Sequence, residues 1–169
     1  MNYVRNFERV REFVTAKPIR LAVFRFVYKI FPIINIAAYP LMILDLAYNH
    51  DIRIIKCIAV PAFMFITLSA ARHIMNFPRP YEKYEITPII PKNKKGRSFP
   101  SRHTASAAVI GVTFLYVFPP LGIVFLIIAA FVGISRAVCG VHFPRDVIAG
   151  YLYAMICGAM YLIKINGIP

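Results

Sequence analysis

Three short clusters hold most of the side chains in this sequence that can do chemistry. Arg72 stands six intervening residues before Arg79-Pro80; Pro100, Ser101, Arg102 and His103 are contiguous; Ser135-Arg136 is followed after five residues by His142 and after three more by Asp146. A guanidinium presents a planar fork of donors that matches phosphate oxygens. A serine opening a helix lies beside free backbone N–H groups that favour anions. Imidazole is a nucleophile or proton donor near neutral pH, and a nearby carboxylate can fix its tautomer. The set has the composition of a phosphate cradle. A metal-dependent route needs clustered carboxylates, but of the 7 Asp and Glu only Asp146 belongs to a cluster, so no metal or other cofactor is expected. Cys139-x5-Arg145 matches a cysteine-phosphatase string, but Pro144 removes a backbone N–H that such a loop uses for phosphate.

These clusters act together only if the chain brings them to one place, and its apolar runs predict that it does. Residues 104–135 contain no Asp, Glu, Lys or Arg, which is too long for one span of about 20 residues. Pro119-Pro120-Leu121-Gly122 breaks the run near its middle. A helical hairpin follows, with helices over about 102–118 and 121–137 and both open ends on one membrane face. Residues 147–163 form a further span leaving that face, with Gly150, Ala154 and Gly158 spaced for close helix contact. Residues 57–71 form another, extended by Lys56 snorkelling and ending at Arg72. The polar linker 80–100 cannot cross lipid, because its unpaired backbone groups would each cost several kcal/mol, so it too stays on that face. Residues 30–49 are apolar enough to span despite Pro32, Pro40 and Asp45, and residues 1–20 read as a basic amphipathic helix on the bilayer surface. Neither stretch has the pattern of a cleavable signal peptide.

Composition sets the same frame. The chain has 169 residues, 20 Lys and Arg against 7 Asp and Glu, 59% hydrophobic and 16% charged residues. Soluble domains carry about 25% charged residues, so this apolar surface needs lipid as its solvent. The apolar content excludes disorder, and nucleic acid is not an expected partner. Cys57, Cys139 and Cys157 lie in or beside apolar stretches and read as small hydrophobes. The expectation is an all-α, multi-pass transmembrane bundle of five or six spans in a single membrane-embedded domain over 1–169. Its amphipathic segment would be 1–20 and its chemistry would lie within 72–146. Asp45 reads as a snorkelling acid near Asn49, and His50 and His73 as structural.

The three clusters resemble the signature of the type 2 phosphatidic acid phosphatase superfamily, which also includes vanadium haloperoxidases and class A acid phosphatases. Its pattern is Lys-x6-Arg-Pro, Pro-Ser-Gly-His, then Ser-Arg-x5-His-x3-Asp. The third motif is complete in Ser135, Arg136, His142 and Asp146, whereas Arg72 replaces the usual Lys and Arg102 the usual Gly. The resemblance implies His142 as nucleophile forming a phosphohistidine, Asp146 holding its other ring nitrogen, and His103 as the acid and then the base. It implies Arg72, Arg79, Ser101, Arg102 and Arg136 as phosphate-binding residues.

A site at the membrane face of a helical bundle suits an amphiphile, and the resemblance offers phosphatidic acid, phosphatidylglycerol phosphate, polyprenyl pyrophosphate and lipid A phosphates. The expected function is a metal-independent lipid phosphatase among membrane lipids; the alternatives are a lipid phosphotransferase of the same family or a non-catalytic basic membrane scaffold or lipid-binding protein. The resemblance places the site on the extracytoplasmic face of the cell membrane, while the basic residues around it point the other way by the positive-inside rule. The residues do not indicate an oligomeric state.

Overall fold

The computed structural model describes residues 2–164. Among them every regular element is a helix: α1 (Asn2–Thr15), α2 (Pro18–Tyr48), α3 (Ile54–Met75), α4 (Pro80–Lys83), α5 (Arg102–Val117), α6 (Pro119–Val138) and α7 (Pro144–Gly158), the last continued by a 3₁₀ turn at Ala159–Leu162. The helices starting at Pro18, Ile54 and Pro119 are long and apolar enough to cross a membrane. The shorter α5 and α7 run alongside them, so five helices traverse the bundle, and a sixth has no counterpart among the described residues.

The bundle is built around α5, where 11 of 16 residues are buried. It packs on α2, α3, α6 and α7. Its inner positions Ala105, Ala107, Ala108 and Gly111 are small, which lets neighbouring backbones approach where lipid offers no hydrophobic drive for helix association. The outer faces are apolar instead: Ile33, Ile36, Leu41 and Leu44 of α2 and Ile123, Ile127, Phe131 and Ile134 of α6 are exposed. Apolar side chains facing outward over a close-packed interior are what a lipid solvent stabilises.

The hairpin forms as its sequence predicts. Phe118 separates α5 from α6, and Pro119 and Pro120 fill the first positions of α6, where the missing N–H groups have no helical partner anyway. Pro144 does the same for α7. Gly150 is required by proximity, since a Cβ there would lie 2.6 Å from the Ser101 carbonyl oxygen. The small-residue stripe of α7 thus packs along α5, with Gly150 against Ser101 at its start and Gly158 against Val112.

Three expectations change. The second helix starts at Pro18 and runs unbroken through Pro32 and Pro40 to Tyr48; its 31 residues span about 46 Å at 1.5 Å each, longer than a bilayer core. Lys56 does not snorkel: it is 4% exposed, its Nζ donates to the Ile163 carbonyl at 2.8 Å and it sits over the Tyr116 ring. The amphipathic helix α1 is not free on a surface, because Phe7 and Val14 are buried, and Tyr3 stacks on Tyr84 and meets Phe143 beside the third motif.

Candidate active site

The C-terminal end of α3, the linker 76–101, the start of α5 and the turn from α6 to α7 meet at one end of the bundle. His142 lies in the loop between α6 and α7, 2% exposed, and Asp146 occupies the first turn of α7, fully buried. Asp146 is held from several sides. Its Oδ2 accepts from the Phe143 N–H at 3.1 Å and from the Ser98 hydroxyl at 2.5 Å, while its backbone carbonyl accepts the Ser101 N–H at 2.8 Å. One acid therefore ties the third motif to the second.

The expected direct bond between Asp146 and His142 is not made. Their nearest atoms, Nδ1 and Oδ2, are 3.7 Å apart, beyond hydrogen-bond reach. Ser98 bridges them: its Oγ, which donates to Asp146, lies 3.4 Å from His142 Nδ1. Ser98 was not legible among the candidate residues. It stands alone in a basic linker, and its only signal is its position two residues before Pro100-Ser101.

Burial disfavours the charged imidazolium and holds the His142 pKa below its ordinary 6.5; Asp146 opposes this, while Arg79 and Arg72 reinforce it. The ring is therefore neutral at neutral pH. With Nδ1 turned toward Ser98, Nε2 is left as the nitrogen with a free lone pair.

The arginines have distinct surroundings. Arg79 caps α4 and links two loops, its Nε donating to the Gly96 carbonyl at 3.1 Å and its Nη1 to the Val141 carbonyl at 3.3 Å. Arg136 lies over the Tyr28 ring at 3.9 Å and donates to the Tyr28 carbonyl, while its buried Nε has no hydrogen-bond partner. Arg72 is engaged by the linker, donating to the carbonyls of Ser98, Pro100 and Arg97. Much of its fork thus shapes the loop that carries Ser98.

Ser101 takes the N-cap position of α5 as expected, but its side chain makes no capping bond and accepts instead from the Thr104 hydroxyl at 2.9 Å. Arg102 and His103 begin the helix, both exposed. They border an apolar groove of about 300 Å³ between α2, α3 and α5, walled by Pro32, Phe65, Ala107 and Ile110. Asp45 bonds to Asn49 at the far end of α2, and His50 and His73 are exposed outside the cluster. All three cysteines are buried and unpaired.

The family model described as the PAP2 superfamily matches residues 53–167. The chain belongs to the PAP2 superfamily. Among curated proteins, undecaprenyl-diphosphatase BcrC of Bacillus subtilis is 32% identical over 84 residues, covering 50% of this chain and 43% of that protein. Lipid A 1-phosphatase of Rhizobium etli is 30% identical over 83 residues, covering 43% of this chain and 36% of that protein. The matches span less than half the length of these relatives. The crystal structure of Aquifex aeolicus LpxE superposes with a TM-score of 0.73 at 23% identity, over 94% of this chain and 93% of that one. A PAP2-type phosphatidylglycerolphosphate phosphatase from Bacillus subtilis gives 0.61 at 20% identity, over 96% and 86%. These two likenesses concern the fold. The chain's departures from the PAP2 pattern have visible consequences: Arg72 brackets three carbonyls of one loop, which a lysine's single ammonium is poorly shaped to do, and the Arg102 side chain stands at the mouth of the apolar groove.

Proposed function

We propose that the protein is an integral-membrane lipid phosphatase that works through a phosphohistidine at His142. The observation that carries this reading is the buried His142–Ser98–Asp146 chain, which turns Nδ1 inward and leaves a neutral Nε2 beside a cluster of arginines. Nε2 attacks phosphorus, the bond from phosphorus to the lipid oxygen breaks, and His103 delivers a proton to that oxygen. Water then attacks the phosphohistidine, His103 takes the water's proton, and inorganic phosphate leaves as His142 is restored. Arg79, Arg136, the Arg72 fork and the backbone N–H groups at the start of α5, next to Ser101 and Arg102, stabilise the charge on the equatorial oxygens.

The apolar groove ending at Arg102 and His103 suits the first part of a lipid tail and makes the substrate an amphiphile. Distribution of charge bears on the side of the membrane. Of the 20 Lys and Arg, only Arg53, Lys56 and Lys164 lie at the end opposite the site, leaving 17 at the site end. Thirteen remain there when Arg72, Arg79, Arg102 and Arg136 are set aside as anion-binding. The positive-inside rule supports a cytoplasmic site end, against the extracytoplasmic placement implied by the family resemblance.

The test is phosphate release from short-chain phosphatidic acid and a polyprenyl pyrophosphate by purified protein. Release is expected to survive EDTA, to be inhibited by vanadate and to vanish in His142→Ala. Full activity in that variant would sink the mechanism.

A further inference from the structure

The second helix, α2, carries none of the three motifs, yet it supplies the seat of one of their arginines. Arg136 lies in the last turn of α6 and is 6% exposed. Among the described residues no carboxylate pairs with it, and a buried guanidinium without a counter-charge is costly unless other groups hold it. Tyr28 of α2, itself buried, holds it twice. Its ring lies 3.9 Å from Arg136 Cζ, and its backbone carbonyl accepts Arg136 Nη2 at 3.3 Å. Ring and guanidinium are thus closed off from water, where a cation–π contact is strongest.

That carbonyl is open to Arg136 because of a proline. In an α-helix the carbonyl of residue 28 accepts the N–H of residue 32, and Pro32 has none. Since α2 continues unbroken through Pro32, the missing bond leaves the Tyr28 oxygen for a donor from α6, which packs alongside. Neighbouring helices commonly satisfy a carbonyl freed in this way inside a membrane. The same exchange occurs at a second place in the bundle. Pro61 of α3 leaves the Cys57 carbonyl without its helical donor, and the Tyr39 hydroxyl of α2 donates to it at 2.9 Å. In both cases a proline turns a backbone carbonyl of one helix into an acceptor for the next; at Tyr28 the donor belongs to the third motif.

We propose that Tyr28 and Pro32 are positioning residues for the reaction: together they hold the Arg136 guanidinium against α2 with Nη2 engaged, and leave its buried Nε, which has no hydrogen-bond partner, to donate to an oxygen of the reacting phosphoryl group. The inference rests on the phosphatase reading of the same site. Neither residue touches the substrate phosphate. Both act through Arg136, whose donor matters most when charge spreads over the equatorial oxygens in the transition state, so loss of the seat appears in kcat.

The experiment uses the full chain in detergent with whichever of short-chain phosphatidic acid and a polyprenyl pyrophosphate it hydrolyses faster. Pro32→Ala restores an N–H that competes with Arg136 for the Tyr28 carbonyl. It should lower kcat about tenfold with KM changed by less than about twofold, while Tm holds or rises, because alanine suits a helix interior better than proline. A structural role alone would move kcat and Tm down together. Tyr28→Leu should also lower kcat about tenfold, and Tyr28→Phe, which keeps the ring, should recover most of that loss. Pro40→Ala, at an exposed position of the same helix, should leave kcat unchanged. An unaltered kcat in Pro32→Ala, a rise in its KM with kcat intact, a fall in its Tm alongside kcat, or an equal loss in Pro40→Ala would overturn the seat and leave the phosphatase reading standing. Absence of phosphate release from both lipids would instead overturn that reading. Vanadate then tests the seat by itself: the rise in Tm that it produces should shrink in Pro32→Ala, and equal shifts in the two proteins would contradict the seat.

Discussion

In the proposed mechanism Ser98 sets the geometry of His142 and Asp146. The family spacing His142-x3-Asp146 suggests a direct contact, but the hydroxyl of a residue 44 positions away bridges the two side chains. Ser98→Ala removes a bond to a buried carboxylate that a neighbouring methyl cannot replace. Such bonds contribute about 1.5–3 kcal/mol, so kcat should fall about 10- to 100-fold, with KM changed by less than about twofold if the role is positioning. Steady-state kinetics on one lipid phosphate checks this, and a large rise in KM with kcat intact would assign Ser98 to substrate binding instead. Asp146→Asn should cost at least as much in kcat: an amide oxygen can still accept the bonds from Ser98 and Phe143 that Oδ2 now holds, but the negative charge that offsets positive charge on the His142 ring is lost. His142, Asp146, His103 and the arginines stand out in the sequence because their residue types fall into short motifs of fixed spacing. Ser98 does not, since a hydroxyl brought in by a loop has no period. The engagement of Arg72 by three carbonyls was equally hidden, because backbone partners leave no residue type in the sequence.

At the scale of elements, the site depends on how closely α7 approaches the start of α5. The Ser101 N–H bonds to the Asp146 carbonyl and Gly150 lies one helical turn further along, with no room for a side chain against the Ser101 backbone. Gly150→Leu should therefore shift Ser101, Arg102 and His103 away from His142. Overpacking of this kind costs about 1–3 kcal/mol; a lower Tm in detergent and loss of most phosphate release are the expected outcomes. Ile148→Leu, on the exposed face of the same helix, should change neither; equal effects from the two substitutions would mean that the contact carries no special weight. The hairpin boundary at Phe118 and the start of α7 at Pro144 were readable because proline is informative at a helix's first turn. The extent of α2 was not: the apolar run marked a span only over 30–49, yet the helix, supported by α5 and α6, begins at Pro18 and continues through Pro32 and Pro40. The docking of α1 was hidden too, because an amphipathic pattern shows that one face is covered without showing whether lipid or protein covers it.

For the whole molecule, the excess of basic charge separates into three parts. Some lies in the cluster around His142, some lines a basic cavity between the end of α3 and the linker, and much of the remainder clothes α1 and the first third of α2 at the same end. The sequence showed the excess but not its one-sidedness, which depends on α1 and the start of α2 lying beside the catalytic loops. With five traversing helices, the described C-terminal end lies opposite the site. Alkaline phosphatase fused after residue 164 should be active and a fluorescent protein fused there dark if the site end faces the cytoplasm; the reverse pair of results would restore the extracytoplasmic placement.

The central claim is that a phosphoryl group passes through His142. Its most direct measurement is rapid acid-free quenching of the purified protein during turnover of a ³²P-labelled lipid phosphate, followed by peptide mapping. The label is expected on the peptide containing His142, stable to alkali and lost in mild acid, and absent from His142→Ala. Label on any other residue, or undiminished phosphate release by that variant, would contradict it.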